Sequence, residues 1–210
     1  MGALATYRSQ VQRLLHDANN RFYPQADIDD YINRARQQVA RESCCLRTLV
    51  TGLSLTAGQE NYNVQTFLPA NTIAVIGVTV IQGQTRYKLR YMPFTQFDAQ
   101  LRYWQNYTQL PTAFTRYGAS LVKIGPMPDQ NYATEWDTVV DAAVLPSDDS
   151  GTETIAIPFQ TPVAFFAAYL AKFNEQSMGE SEKFEKQYQI EMTRAQASWM
   201  RFQFADPYRG

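Results

Sequence analysis

The stretch that most constrains the fold is residues 11–42, VQRLLHDANNRFYPQADIDDYINRARQQVARE. Tyr7, Val11, Leu14, Leu15 and Ala18 recur at i, i+4, i+7, i+8 and i+11, one apolar face of a 3.6-residue period. The pattern stops at Asn19-Asn20, residue types that tolerate turns and the left-handed region. Pro24 suits a first helical position, because it has no N–H to lose and its φ is preset. Asp27, Asp29 and Asp30 crowd the opening turns of a second helix, where the macrodipole favours negative charge. Ile28, Ile32, Ala35, Val39 and Leu46 form its buried stripe. These residues predict an antiparallel helix pair with an aromatic elbow.

The period changes near Leu49, and from there to about Val144 the chain reads as short strands broken by turn residues. Thr51, Leu53 and Leu55 alternate before Ala57-Gly58-Gln59. Residues 72–81 are β-branched and apolar, bounded by Pro69-Ala70-Asn71 and Gln82-Gly83-Gln84. Tyr87, Leu89 and Tyr91 alternate with Arg86, Lys88 and Arg90, which predicts a strand with one apolar and one basic face. Pro93 opens a short helix over 94–103. Residues 112–116, 120–124 and 134–140 complete an antiparallel sheet punctuated by Pro111, Gly118, Pro126 and Pro128.

The polar run 146–151, PSDDSG, marks a boundary. Pro162 then opens a helix with Val163, Phe166, Ala167, Leu170 and Phe173 or Asn174 on one side. Met178-Gly179 is expected to end it, glycine being the usual residue just past a helix C-terminus. Phe184, Tyr188, Met192, Ala195 and Trp199 line a last helix. The expected fold is therefore α+β, with N- and C-terminal helices forming one helical bundle and an antiparallel β region inserted between them. The segments are 1–48 for the first helix pair, 49–151 for the β region, 152–201 for the second pair, and 202–210 for a C-terminal tail that Pro207 keeps from continuing the helix.

Charge and chemistry narrow the function classes. The net charge of −1 disfavours a dedicated nucleic-acid binder with a broad basic face. No secretory signal fits the start, which Arg8, Gln10, Gln12 and Arg13 interrupt, and no apolar window is long enough to span a bilayer. A soluble protein made in the cytoplasm, with no membrane partner, is expected. Cys44 and Cys45 are neighbours and read as a buried pair of small apolar residues near the end of the second helix. His16 is the only histidine, and it reads as a helix residue rather than a catalytic base. No phosphate loop, dinucleotide fingerprint or zinc motif occurs. No catalytic, cofactor-binding or metal-binding residue is expected. Arg86, Lys88 and Arg90 form the best basic stripe, either the solvated face of a strand or a contact with a neighbouring subunit or DNA backbone.

The residues also carry a resemblance. Leu14-Leu15-His16-Asp17, the aromatic elbow, and Asp27-Ile28-Asp29-Asp30-Tyr31-Ile32-Asn33-Arg34-Ala35 resemble the N-terminus of tailed-bacteriophage head-to-tail adaptor (connector) proteins. Leu55-Thr56-Ala57-Gly58-Gln59 before Tyr62 resembles that family's first β-hairpin. Gly125-Pro126-Met127-Pro128 before Tyr132 resembles a later strand turn, and a C-terminal helix pair follows in the same order. At the elbow Tyr23-Pro24 stands where the family has an aromatic and a polar cap. The resemblance implies a structural, non-enzymatic virion protein. It implies a homo-oligomeric ring, a dodecamer, that joins the portal protein to a tail or nozzle protein and lines the channel through which DNA transiently passes. It also implies that the tail grips the portal, through Phe202, Phe204, Pro207 and Tyr208. A second reading is a virion-associated peptidoglycan hydrolase or bifunctional connector, which needs two carboxylates across a cleft; no pair stands out in the sequence.

Overall fold

In the computed structural model, residues 2–102, 107–118 and 120–203 are described, 200–203 by their backbone alone. The chain forms two compact units, one from the chain up to Leu46 together with the chain from Asp141 onward, the other Arg47–Val140.

In the first unit, α1 is Ala3–Leu14, α2 Gln25–Ser43, α5 Gln160–Asn174 and α6 Met178–Gln203, with a 3₁₀ turn at Ile157–Phe159 leading into α5. Helix α5 touches α1, α2 and α6. Its buried face is mostly small, Val163, Ala164, Ala167, Ala168 and Ala171, so the neighbouring helices approach closely. Around it lie Leu4, Tyr7 and Val11 from α1, Ile28, Ile32, Ala35 and Val39 from α2, and Tyr188, Met192 and Ala195 from α6, all buried. The stripes predicted for α1 and α2 are thus largely the buried ones. Ala18 is exposed, because α1 ends before it.

Helix α2 ends differently from its expected form. Cys44 takes a left-handed conformation at φ 50° and its N–H donates to the Ala40 carbonyl. That puts Leu46 beyond the helix, leaves Cys44 exposed and Cys45 half-buried, and removes the buried cysteine pair expected from the sequence. Gly179 does not end α5 either. The left-handed residue after α5 is Gln176, at φ 61°, and the Ser177 N–H donates to the Lys172 carbonyl at 3.0 Å. Gly179 lies in the first turn of α6.

In the second unit, β1 is Arg47–Leu55, β2 Asn61–Asn63, α3 Val64–Phe67, β3 Thr72–Gln82, β4 Thr85–Lys88, β5 Arg90–Tyr91, α4 Phe94–Leu101, β6 Ala113–Tyr117, β7 Leu121–Gly125 and β8 Tyr132–Val140. The strands form two four-stranded sheets, β1-β8-β3-β4 and β2-β7-β6-β5. Both contribute to one core, with Val78, Val80 and Trp136 from the first and Tyr62, Phe114, Val122 and Ile124 from the second. Trp136 is fully buried, and its indole N–H donates to Thr134 Oγ1 at 2.8 Å. That hydroxyl donates in turn to the Leu53 carbonyl at 2.9 Å, so the polar edge of the ring is satisfied where burial would otherwise make it costly. Gly125 lies against Phe97: a Cβ there would sit 2.6 Å from the ring, which explains glycine before Pro126.

These observations correct the expected architecture. The protein is α+β, with six α-helices and two sheets among the described residues. It is not a terminal helical bundle flanking an inserted antiparallel β region. The central part of the chain holds the short α3 as well as the helix expected after Pro93, now α4, and the strands make two sheets, one containing the parallel pair β5–β6. A helix as short as the four-residue α3 carries no periodic signal to read. The second sheet leaves no separate mark in the sequence because the chain changes sheets within a continuous alternating run. At Leu89 the N–H donates to Val78 of the first sheet, and one residue on the Arg90 N–H donates to Thr112, leading into the second.

Candidate functional site

A cleft of about 450 Å³ lies in the helical unit between α1 and the 3₁₀ turn and start of α5. Ala3, Tyr7 and Leu14 line it from α1, and Ile157, Ala164 and Phe165 from the other side. The spacing of the α1 positions is helical, so the cleft follows the stripe just outside the one that faces the core. Ile157 is 81 % exposed, an unusual position for an isoleucine held on a rigid turn. Arg13 lies at the polar margin, and its guanidinium has no ion-pair or hydrogen-bond partner among the described residues.

Behind the cleft is a buried polar network that the sequence did not disclose. Arg36 is 1 % exposed. Its guanidinium donates to both Glu153 oxygens, at 3.1 and 2.8 Å, and to the Ala143 carbonyl at 2.5 Å. Glu153 also accepts the N–H of Thr154 and of Ile155. Burial alone would raise the Glu153 carboxyl, but Arg36 and these donors hold it below its usual range. The Tyr7 hydroxyl is buried without a hydrogen bond of standard geometry. Burial first, and the Glu153 carboxylate second, push its pKa far up and keep it protonated. Asn33 bridges the same region, accepting the Leu145 N–H at 2.8 Å and donating to its carbonyl at 3.1 Å. The arrangement ties α2 to the segment that leads into α5, and so fixes one wall of the cleft. It offers no exposed acid or base.

The elbow is a second built feature. The Asp17 carboxylate accepts the N–H groups of Arg21, Phe22 and Tyr23 at 2.8, 2.9 and 3.0 Å. Burial opposes ionisation of Asp17, and these backbone donors outweigh it, holding its pKa below the usual value. Tyr23 turns inward and donates its hydroxyl to Glu175 at 2.5 Å. Phe22 turns outward and is 78 % exposed. A large aromatic presented to solvent on a loop fixed by so many hydrogen bonds is preorganised for contact.

The basic stripe is divided. Arg86 and Lys88 lie on β4, at an edge of the first sheet, while Arg90 lies on β5, at an edge of the second. Arg86 pairs with Glu135 at 3.1 Å. Tyr87 and Tyr91, expected on an apolar inner face, are exposed, and only Leu89 of that alternation is buried. Of the tail residues, Phe202 belongs to the last turn of α6; Phe204, Pro207 and Tyr208 lie outside the described residues. Among the described residues, no group of His, Cys, Asp and Glu could hold a metal ion, and no helix is long and apolar enough to cross a membrane.

What the two units offer is fixed contact surface: an exposed aromatic on a braced elbow, a cleft with an exposed aliphatic rim, and an open sheet edge carrying Leu49. The model of the SU10 adaptor protein family matches residues 4–205, nearly the whole chain, and the chain belongs to that family. No curated protein matches it. Membership makes it a structural adaptor of a bacteriophage virion.

Proposed function

We propose that the chain forms a closed ring of identical subunits, twelve by its resemblance to head-to-tail connectors, joining the portal to the tail or nozzle and lining the path of the exiting DNA. The observation that carries this reading is the family match across residues 4–205. Head-to-tail contacts use two different patches on each subunit and close into a ring when the rotation per subunit divides a circle. In this reading the segment 202–210, with Phe202, Phe204, Pro207 and Tyr208, is a strap on the portal, and Arg86, Lys88 and Arg90 contact a neighbouring subunit or the DNA backbone. Burying two or three aromatics at roughly 25 cal/mol per Å² contributes several kcal/mol per subunit before the ordering cost. Repeated around a ring, even a small gain per copy becomes strong avidity.

Negative-stain images of the protein with and without its portal test the ring: annular density capping the portal is expected, and a portal left bare would refute it. The strap is tested separately. Deleting residues 202–210 should leave the melting temperature nearly unchanged and abolish co-sedimentation with portal rings. Normal co-sedimentation of the truncated chain would eliminate the strap.

A further inference from the structure

Two exposed features of the helical unit are complementary in shape and charge, and within one chain they are not joined. The first is a knob. Phe22 stands out from the elbow, whose N–H groups at Arg21, Phe22 and Tyr23 are all held by the Asp17 carboxylate. A rigid aromatic of this kind loses little freedom when a partner buries it. Five residues on, in the first turn of α2, Asp27 is exposed, and its carboxylate has no hydrogen-bond or ion-pair partner among the described residues. The second feature is a hole. The cleft beside α1 is apolar at Leu14, Ala164 and Phe165 and rimmed by the exposed Ile157, and the unpaired guanidinium of Arg13 lies at its margin. Its volume of about 450 Å³ falls within the roughly 300–1,000 Å³ of sites that enclose small molecules, so it admits a phenyl group. We propose that Phe22 of one copy seats in this cleft of the next copy, with Asp27 of the incoming copy paired to Arg13.

Charge, area and symmetry all favour a second copy as the occupant. The same short stretch of chain that carries the aromatic also carries a free carboxylate, and the cleft carries the free cation. Knob and hole are different patches, so the contact repeats head to tail instead of closing a pair. Both patches belong to one compact unit, so each joint sets the same rotation. A buried aromatic accounts for about 150–250 Å², while a stable pair in free solution needs on the order of 1,000 Å². The joint is therefore weak singly and strong only between copies arrayed on a template.

This names the joint of the ring proposed above and rests on that reading. The test is made on portal rings, with negative-stain images as the control for ring formation. The full chain carries Phe22→Cys and Ile157→Cys, with Cys44→Ser and Cys45→Ala removing the native thiols. Oxidation after docking should give a ladder of linked dimers, trimers and higher species on a non-reducing gel. A mixture of chains bearing only one of the two new cysteines each should give dimers alone. Charge reversal repeats the test with the native thiols in place: Arg13→Glu should strip rings from the portal, and adding Asp27→Lys to the same chain should restore them. Rings that give no ladder beyond the dimer, or that survive Arg13→Glu at full occupancy, overturn the joint and leave the ring standing. A portal left bare by the unaltered protein overturns the ring, and the joint with it.

Discussion

The residue with most at stake in this chain is Arg36. It is buried, charged and engaged by Glu153, Asn33 and the Ala143 carbonyl. A buried ion pair contributes little net stability compared with a well-packed apolar pair, yet removing one partner strands the other. Arg36→Met should therefore lower unfolding stability by about 3–5 kcal/mol, and Arg36→Met with Glu153→Leu should restore much of it. Denaturant unfolding of the three proteins decides this; equal midpoints would show that the network is solvated. The same pair sets an acid limb. The folded carboxyl of Glu153 lies below its ordinary value of 4.5, so its contribution is complete above pH 4.5 and is lost as pH falls through the lower folded value. The stability–pH profile of Glu153→Gln should be flatter than that of the unaltered protein below pH 4.5; parallel acid limbs would assign the acid sensitivity to other groups. Nothing in the sequence pointed to this network. Arg36 and Glu153 are 117 residues apart, and a single arginine on the flank of an apolar stripe reads as surface. Asp17 was equally silent, since a carboxylate capping three backbone N–H groups differs from any loop aspartate only once the loop is folded.

At the scale of elements, periodicity was informative wherever a helix was long and packed on one side. Ile32 and Ala35 of α2 are fully buried, in the core shared with α5, as their spacing demanded. Ile32→Asp would place an unpaired charge there and should cost several kcal/mol, on the order of 4. A melting temperature unchanged by that substitution would contradict the assigned stripe. Periodicity failed where the signal was short or divided. The alternating run 85–91 belongs to two sheets, and hydropathy cannot register a change of sheet at one residue. Strand β3 hides two irregularities for the same reason: its register with β8 shifts between Thr72 and Ala74 and between Val75 and Gly77, which turns Ile73 and Ile76 outward where an even alternation would not. Glycine misled at position 179 because Gln176 took the left-handed position, a role glycine fills often but not always.

At the scale of the whole molecule, the issue is how a protein of assembly avoids assembling too early. The mean hydropathy is −0.39, a polar balance for a subunit whose partners are other proteins. The large exposed apolar side chains of the helical unit include Phe22, Ile157 and Phe173, and those of the other unit include Leu49, Ile76 and Tyr91. A single exposed aromatic covers an area of about 150–250 Å², while a stable interface needs on the order of 1,000 Å² with good complementarity. One anchor at a time cannot hold two free subunits together. Many copies arrayed on a template can, since each contact after the first forms at high effective concentration. The isolated protein is accordingly expected to be a monomer or a weak oligomer, with the ring forming on the portal. Sedimentation velocity at micromolar concentration should show a species near the mass of one chain, 24.0 kDa. Stable rings in that experiment would mean that the subunit interface is larger and more apolar than these separate anchors, and that assembly precedes docking.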